Sequence, residues 1–502
     1  MNDTRPLATR TAVGAAWLTV QTLANKLIAS LGQVALTWFL DPKAFGQATL
    51  AFATVAVLTV LQNVGIKEIL LSRGRRSRVH EPSAFWLSLL LGAVVFATAC
   101  LAAPVAARFY GNTSLSHLIL VTAAAAPLNG LAIVPQARLE LQMRFRLLAG
   151  INSFTGLVQV GGAVIMAFLG AGAMSLAVPF LIAAAVRAIA YWRYASTHPL
   201  IPLWRPRRWR VFAAGAGWLT MASICAMVVA QGDYMILGAF AGQAEVGRYA
   251  IAFSLSTQTI QLLNVNLASV LLPALAVTAT DQNRLRLAVV RAVRLINIVG
   301  IPMCAMQATV GVLVVQAVFP ENWHGSAVLF SILSGGMAFA VTGGVSYSLF
   351  RATGRFQMCA VVYLAYAVGF TLAVVVGSAT GGATGTAIAA VACLVVFEPA
   401  KLYFAARPAA IPFGLLLRLL LVPIAGVILA TAVGLPTFVA ARLAMPALIA
   451  AALASSVGVI IYCAFVRWAD PVVAAELVTL VRGVTVRTTL PRVPGSDVGK
   501  RT

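Results

Sequence analysis

GAAWLT occupies residues 14–19 of the chain, and GAGWLT occupies residues 215–220. The two copies stand 201 positions apart, and the match continues at that offset: over residues 12–71, 17 of 60 positions are identical without a gap. Gly46 and Gly247 form one of the identical pairs. A match of this length indicates an internal duplication, which predicts two structurally equivalent halves.

The composition indicates that the duplicated chain lies in a lipid bilayer. Hydrophobic residues make up 61% of the 502 residues and charged residues 10%, whereas soluble domains contain about 45–50% apolar and about 25% charged residues. No cleavable signal peptide is predicted, because residues 1–10 are short and polar and the first apolar run is too long for one. We therefore expect an all-α polytopic membrane protein, since backbone groups in lipid must be paired within helices.

Fourteen apolar segments have roughly the length of 20 residues that a hydrocarbon core of about 30 Å requires of a helix. The first twelve fall within the two copies of the repeat, and the last two lie outside it. We predict them as spans 1–14, at residues 11–38, 44–66, 83–107, 116–137, 148–169, 174–195, 211–231, 247–271, 288–316, 325–349, 356–376, 384–404, 413–434 and 444–466.

The basic residues indicate the orientation of these spans. The formal net charge is +23, but the basic residues separate the spans and form no nucleic-acid-binding patch or motif, so no nucleic-acid partner is expected. Of the 36 Lys and Arg residues, 31 fall on one side of the predicted spans, Lys26 falls inside span 1, and four fall on the other side: Lys43, Arg108, Arg248 and Arg442. The positive-inside rule then places both termini in the cytoplasm and requires an even number of spans.

The two copies of the repeat begin on the same side of the membrane. They are therefore predicted to be parallel lobes related by an axis along the membrane normal, an arrangement in which transporters place their site between the lobes. Arg144-Phe145 after span 4 and Arg355-Phe356 after span 10 form a second correspondence. The predicted organisation is a cytoplasmic N-terminus at 1–10, an N-terminal six-helix lobe at 11–195, a basic linker at 196–210, a C-terminal six-helix lobe at 211–404, two additional helices at 405–466 and a basic cytoplasmic tail at 467–502.

Polar side chains inside span 1 predict a cavity between the lobes. Lys26 stands near the middle of the span beside Asn25, and a lysine at membrane depth is costly enough to indicate a functional group that faces a cavity. The alternative is a structural lysine that reaches an interface or contacts a backbone carbonyl. At helical spacing the span carries one polar stripe, made of Thr22, Lys26, Ser30, Gln33 and Thr37.

Spans 2 and 8 offer amides that can complete this cavity. The alternative for each amide is a hydrogen bond between neighbouring helices. We predict a central substrate-binding site formed by Thr22, Asn25, Lys26, Gln33, Gln62, Gln258, Gln261 and Asn264.

Asp233, at the end of span 7, is the acidic residue predicted to lie at membrane depth. It is a candidate for ion coupling together with Arg248, and the alternative is that the two residues simply pair with each other. No metal site and no cofactor are predicted, because the six cysteines lie in spans without CxxC spacing. No Walker, HExxH or GxSxG motif occurs either, so we do not expect an enzyme.

Four stretches of the sequence resemble a known family: GAAWLT (14–19), FLDPKAFGQATLAFATV (39–55), RLELQMRFRLLAGI (138–151) and QGDYMILGAFAGQAEVGRYAIA (231–252). They resemble the polysaccharide transport family of the multidrug/oligosaccharidyl-lipid/polysaccharide flippase superfamily. The resemblance implies two helical lobes, a cationic central cavity in which Lys26 is the matching cation, and export of undecaprenyl-pyrophosphate-linked oligosaccharides across a bacterial inner membrane. It implies no cofactor, and as partners the lipid-linked oligosaccharide, membrane lipids and polysaccharide polymerase and co-polymerase proteins. The chain departs from this family in having no second obvious mid-membrane cation in the first lobe.

The residue types favour the same function. An ammonium suits an anionic pyrophosphate, and amides suit sugar hydroxyls because they both donate and accept hydrogen bonds. One alternative is a multidrug/cation antiporter of the same superfamily, which would need intramembrane carboxylates where this chain offers chiefly Asp233. The other is an integral-membrane glycan polymerase or glycosyltransferase, which usually needs carboxylates or a large outer loop, and the predicted outer loops are short.

Overall fold

The computed structural model describes residues 25–62, 66–72, 80–195, 217–278, 281–443 and 445–469. Within these ranges the chain forms helices and no strands, which confirms the predicted all-α class. The predicted segments 1–10, 196–210 and 467–502 lie wholly or for the greater part outside them. The described helices fall on the predicted spans, with span 1 at 25–39, span 2 at Pro42–Thr59, span 3 at Glu81–Phe109, span 4 at Ser114–Ala123 and Ala125–Leu141, span 5 at Phe145–Phe168, span 6 at Met174–Tyr194, span 7 at Gly217–Phe240, span 8 at Gln243–Thr278, span 9 at Gln282–Val318, span 10 at Ser326–Ala340 and Gly343–Ala352, spans 11 and 12 at Phe356–Ala406, span 13 at Phe413–Arg442 and span 14 at Ala447–Ala469.

Ten helical segments among the described residues are long and apolar enough to cross a membrane, with spans 11 and 12 taken as one segment. Spans 1, 2 and 8 are not among these ten, and span 1 is described only from residue 25. Span 2 differs from the prediction, because its α-helix ends at Thr59 and a 3-10 turn, Val60–Gln62, follows it. A short helix, Ile66–Ser72, comes after that turn.

Helix starts follow from capping residues at two of the connections. Asp41 accepts a hydrogen bond of 2.8 Å from the backbone N–H of Ala44, and Pro42 fills the first turn of span 2. Asp281 caps span 9 in the same way by accepting from the backbone N–H of Asn283 at 3.0 Å. Such side chains satisfy backbone donors that have no partner within the helix, and proline suits the first turn because it lacks the N–H.

Proline and glycine explain a break and a reversal in the helices. Span 4 is interrupted after Ala123, four residues before Pro127, because a proline offers no N–H to that carbonyl and its ring clashes with it. Spans 11 and 12 are two helices within Phe356–Ala406 that are joined by a turn at Gly381 and Gly382, where Gly382 has φ 55° and ψ −135°. Only glycine adopts that backbone conformation readily. The two arms are joined beside the turn by a hydrogen bond of 2.7 Å between the hydroxyls of Ser378 and Thr386.

The two halves of the repeat, spans 1–6 and spans 7–12, contact each other at equivalent positions. Gly46 in span 2 packs against the backbone of Gln243 in span 8, and Gly247 in span 8 packs against the backbone of Pro42 in span 2. A Cβ at either glycine would overlap the partner's carbonyl oxygen. Pro42 and Gln243 are also 201 positions apart, so the contact is reciprocal, as it is across a twofold axis.

The connections after spans 4 and 10 are equivalent as well. The Arg144 guanidinium donates to the carbonyl of Tyr194 at the end of span 6 at 3.0 Å. The Arg355 guanidinium donates to the carbonyl of Phe404 near the end of span 12 at 3.4 Å. Carbonyls in the last turn of a helix have no partner within it, and cations are favourable there. The two arginines of the predicted correspondence therefore stabilise the last helix of each half.

Spans 13 and 14 pack against span 9 of the second half. The Asn297 amide in span 9 donates to the carbonyl of Leu419 in span 13 at 3.1 Å. The Tyr462 hydroxyl in span 14 donates to the carbonyl of Ile298 in span 9 at 2.8 Å. The two additional helices are thus attached to the second half by buried hydrogen bonds as well as by apolar packing.

Candidate substrate site between the two halves

Lys26 in span 1 contacts two amides of span 8. Its ammonium donates to Oε1 of Gln261 at 2.7 Å and to Oε1 of Gln258 at 3.1 Å. The two glutamines are three residues apart, which places them on one face of the helix, and Lys26 is half-buried. The structure therefore brings together, across the contact between the halves, a cation and two amides that the sequence predicted for one cavity.

A second polar contact extends this arrangement along spans 1 and 8. The Ser254 hydroxyl donates to Oε1 of Gln33 at 3.2 Å. Gln33 is seven residues after Lys26, so the polar stripe of span 1 follows span 8 for about 10 Å. Lys26 itself lies about 20 Å from the end of span 1 at residue 39, which is deep within a hydrocarbon core of about 30 Å.

The polar groups of this site are not duplicated in the repeat. At the offset of 201, Met227 corresponds to Lys26, and Val57 and Val60 correspond to Gln258 and Gln261. The first half therefore supplies the cation and the second half supplies the amides. The helices of the two halves are equivalent, but the polar side chains of the candidate site are not.

The predicted outer ends of the halves are joined by hydrogen bonds. The indole N–H of Trp323, which follows span 9, donates to the carbonyls of Thr37 and Leu40 at the end of span 1, at 3.0 and 3.2 Å. The Tyr110 hydroxyl, after span 3, donates to the carbonyl of Met235 in span 7 at 3.0 Å. Trp323 is fully buried. These contacts join the two halves on the predicted outer side.

Three of the other predicted site residues lie elsewhere or outside the described part of the chain. The Gln62 amide is buried and donates to the carbonyl of Ala126 in span 4 at 3.0 Å. The structure thus gives Gln62 a packing contact within the first half, which was the alternative considered for the amides. Asn25 is half-buried beside Lys26. Thr22 and the side chain of Asn264 lie outside the described residues.

Asp233 is buried and bound to span 8 through a tyrosine. Its carboxylate accepts a hydrogen bond of 2.9 Å from the hydroxyl of Tyr249 and another of 2.9 Å from the backbone N–H of Tyr234. Arg248 instead forms an ion pair with Glu245. The predicted alternative, a pair between Asp233 and Arg248, is therefore not formed, because each residue has another partner. Ion coupling through Asp233 stays a prediction.

Span 12 contains a buried ion pair that the sequence analysis did not predict. Lys401 was counted among the basic residues of the connections, but it lies within span 12 and donates to Oε1 of Glu398 at 2.6 Å. Both side chains are buried, and the ammonium lies 4.5 Å from the ring centre of Tyr366 and 5.1 Å from that of Tyr363. Paired with a carboxylate one turn away, the lysine does not need to reach water.

Solved structures of membrane transporters share this fold. The chain matches lipid II flippase MurJ in an inward closed conformation with a TM-score of 0.70 and 13% identity, over 90% of this chain and 98% of that one. It matches an inward-facing multidrug resistance transporter of the MATE family and MOP superfamily with a TM-score of 0.61 and 13% identity, over 76% of this chain and 94% of that one. At these identities the similarity concerns the fold.

Two curated relatives and one family model match the chain. Lipopolysaccharide biosynthesis protein WzxC of Escherichia coli strain K12 is 23% identical over 396 residues, 76% of this chain and 78% of that protein. Teichuronic acid biosynthesis protein TuaB of Bacillus subtilis strain 168 is 21% identical over 325 residues, 64% of this chain and 67% of that protein. The family model for polysaccharide biosynthesis proteins matches residues 35–328, more than half of the chain. The chain therefore belongs to the polysaccharide biosynthesis protein family.

Proposed function

We propose that this protein moves undecaprenyl-pyrophosphate-linked oligosaccharides from the inner to the outer leaflet of a bacterial inner membrane. The exported units would serve the synthesis of exopolysaccharide, capsule or O-antigen. The observation that carries the proposal is the contact of the Lys26 ammonium with Gln258 and Gln261 deep in the membrane, across the contact between the halves. Membership in a polysaccharide biosynthesis family supports the same class of substrate.

The chemistry of Lys26 suits the pyrophosphate of such a substrate. A charged phosphate oxygen is a stronger acceptor for an ammonium than a neutral amide oxygen is. A bound pyrophosphate would therefore replace Gln258 or Gln261 as the partner of Lys26. The released amides could then bind sugar hydroxyls, since each amide both donates and accepts.

This exchange of partners would connect substrate binding with movement of the halves. The Lys26 contacts join span 1 of the first half to span 8 of the second, so a substrate that takes over the ammonium weakens one link between them. A ligand shifts a conformational equilibrium when it binds one state better than the other. We propose alternating access on this basis, with the Trp323 and Tyr110 contacts opening when the site faces outward.

The orientation follows from the basic residues. We propose that both termini are cytoplasmic, because 31 of the 36 Lys and Arg residues fall on the side of the termini. An impermeant thiol reagent added to intact cells should then fail to label a single cysteine placed between residues 72 and 82. Labelling of that cysteine would contradict the proposed orientation and place both termini on the opposite side of the membrane. Polymerase and co-polymerase proteins that extend the exported units are the proposed partners.

A cation antiporter is the second candidate, and Asp233 is the observation that favours it. A buried carboxylate held by Tyr249 could bind and release a cation during transport. A glycan polymerase or glycosyltransferase is less well supported, because the connections at the predicted outer face are short wherever they are described, such as residues 110–113 and 241–242. Those connections leave little room for an outer catalytic domain.

Purified protein in lipid vesicles distinguishes these functions. With an undecaprenyl-pyrophosphate-linked oligosaccharide in the bilayer, wild type should carry it between leaflets, as detected by a lectin added outside. Lys26→Met should abolish the movement, and Lys43→Met should retain it, because Lys43 is an exposed lysine near the predicted outer end of span 2. Vesicles that extrude an organic cation along an ion gradient but leave the glycan lipid in place would refute the proposal.

A further inference from the structure

A groove between spans 5 and 6 lies apart from the Lys26 site. It has a volume of about 750 Å³. Arg144 and Arg146 line one end of it, and Gly150, Phe154 and Val186 line the part farther into the spans. Phe154 lies eight residues after Arg146, about 12 Å along the helix axis. The groove therefore has a cationic end and an apolar end at the separation of a lipid headgroup from its acyl chain.

The apolar side chains around this groove are exposed in the protein. The exposed fraction is 58% for Phe154, 69% for Ile189 on the neighbouring face of span 6 and 48% for Tyr194. In a membrane, such side chains within a span are covered by hydrocarbon, because contact of this area with water would be unfavourable. Lipid chains can therefore reach the groove from the bilayer.

The charge of the groove selects for an anion. Among the described residues that line it, the charged side chains are Arg144 and Arg146, and none is acidic. Arg144 uses part of its guanidinium on the carbonyl of Tyr194, but arginine has five N–H donors. Guanidinium groups bind phosphate oxygens in a fixed fork geometry, and basic clefts between spans on the cytoplasmic side suit anionic headgroups.

The corresponding place in the second half differs in the features that make the groove. Arg144 corresponds to Arg355, an offset of 211 positions. At that offset Gln357 stands in place of Arg146, and Val361 stands in place of Gly150. The second half thus lacks a cation at the position of Arg146, and a side chain occupies the place of the glycine. These two features of the groove therefore do not follow from the duplicated scaffold alone.

We propose that this groove is a binding site for an anionic phospholipid of the cytoplasmic leaflet. Arg144 and Arg146 hold its headgroup phosphate, and one acyl chain lies against Phe154 over Gly150. The distance of about 12 Å from Arg146 to Phe154 accommodates a headgroup phosphate and the first part of an acyl chain within one leaflet. The choice of leaflet rests on the proposed orientation of the chain, and the lipid chemistry of the groove does not depend on the transport function.

Native mass spectrometry of the delipidated full-length protein in detergent tests this site, with dioleoylphosphatidylglycerol as the probe and dioleoylphosphatidylcholine as the neutral comparison. Wild type should bind one phosphatidylglycerol more tightly than phosphatidylcholine. Arg146→Gln should weaken that binding about fivefold, as expected for one basic group at a membrane surface. Arg284→Gln is the matched control, because Arg284 is an exposed arginine on the same predicted face, paired with Asp281.

A second pair of variants fills the groove without changing charge. Gly150→Leu should also weaken phosphatidylglycerol binding and leave folding intact, because a Cβ there meets no atom within 4 Å. Gly161→Leu, in the same helix and equally open, should bind as wild type does. Equal binding of the two lipids, or equal effects of a groove variant and its control, would overturn the proposal. Binding of undecaprenyl pyrophosphate that is weakened by Arg146→Gln and Gly150→Leu, without binding of phosphatidylglycerol, would assign the groove to the transport substrate and also refute the proposal.

Discussion

Replacing Trp323 with phenylalanine should open the site on the predicted outer side. The indole N–H is fully buried and is shared by the carbonyls of Thr37 and Leu40, at 3.0 and 3.2 Å. Phenylalanine has no donor, so these carbonyls would remain unsatisfied at the end of span 1. Leaving a buried polar group unpaired costs about 1–3 kcal/mol. Because this contact exists only while the halves are closed here, the loss should favour the outward-open state by about 5- to 150-fold.

The accessibility of a cysteine inside the site measures this change. Ser30→Cys lies on the polar stripe of span 1, and an impermeant maleimide added outside intact cells should label it faster in Trp323→Phe than in the parent protein. Trp192→Phe is the matched control, since it loses an indole hydrogen bond of 3.0 Å to Leu131 within the first half. That control should lower stability without raising the labelling rate. An unchanged labelling rate in Trp323→Phe, or an equal rise in both variants, would show that the Trp323 hydrogen bonds do not hold the halves together on this side.

Three further substitutions test other parts of the structure. Gly46→Ala should lower the free energy of unfolding by about 1–3 kcal/mol in thermal unfolding, because its Cβ overlaps a carbonyl oxygen of span 8, whereas Gly217→Ala meets open space and should not. Glu398→Gln should destabilise the fold by about 3–5 kcal/mol, since it leaves Lys401 buried without its counter-charge. The double variant Glu398→Gln/Lys401→Met should recover much of that loss, and no recovery would argue against the pair. Asp233→Asn preserves the shape of the side chain and removes its charge, so transport measured with and without a cation gradient should lose its gradient dependence. Retained dependence would exclude Asp233 as the coupling group.

The fold could be predicted from the sequence because its determinants are local or periodic. Span length follows from the thickness of the bilayer, and the duplication is visible as a repeated pattern around Gly46 and Gly247. Lys26 and its amides were also predictable, because polar groups at membrane depth are rare and stand out on a helical stripe. Their pairing joins span 1 to span 8, and it depends on how the two halves pack together.

Most of the contacts that the sequence did not predict depend on packing between residues that are distant in the chain. Trp323 lies in a connection, and the sequence there does not predict its hydrogen bonds to the end of span 1. In the sequence Lys401 resembles a residue of a connection, but it is paired within span 12 with Glu398, one turn earlier. Gln62 resembles a cavity residue, but the interruption of span 4 brings the carbonyl of Ala126 within its reach. Trp323 and Gln62 have partners that are distant in sequence, whereas Glu398 stands three residues before Lys401, and its helical spacing could have indicated the pair.

We propose that Lys26 binds the pyrophosphate of a lipid-linked oligosaccharide, and the affinity of the purified protein for such a lipid measures this interaction. A hydrogen bond to a charged group contributes about 1.5–3 kcal/mol, so Lys26→Met should weaken binding about 10- to 150-fold. Lys26→Arg should lose less, because it keeps the positive charge while changing its shape. A folded Lys26→Met protein that binds the substrate as tightly as wild type would show that Lys26 does not bind the pyrophosphate.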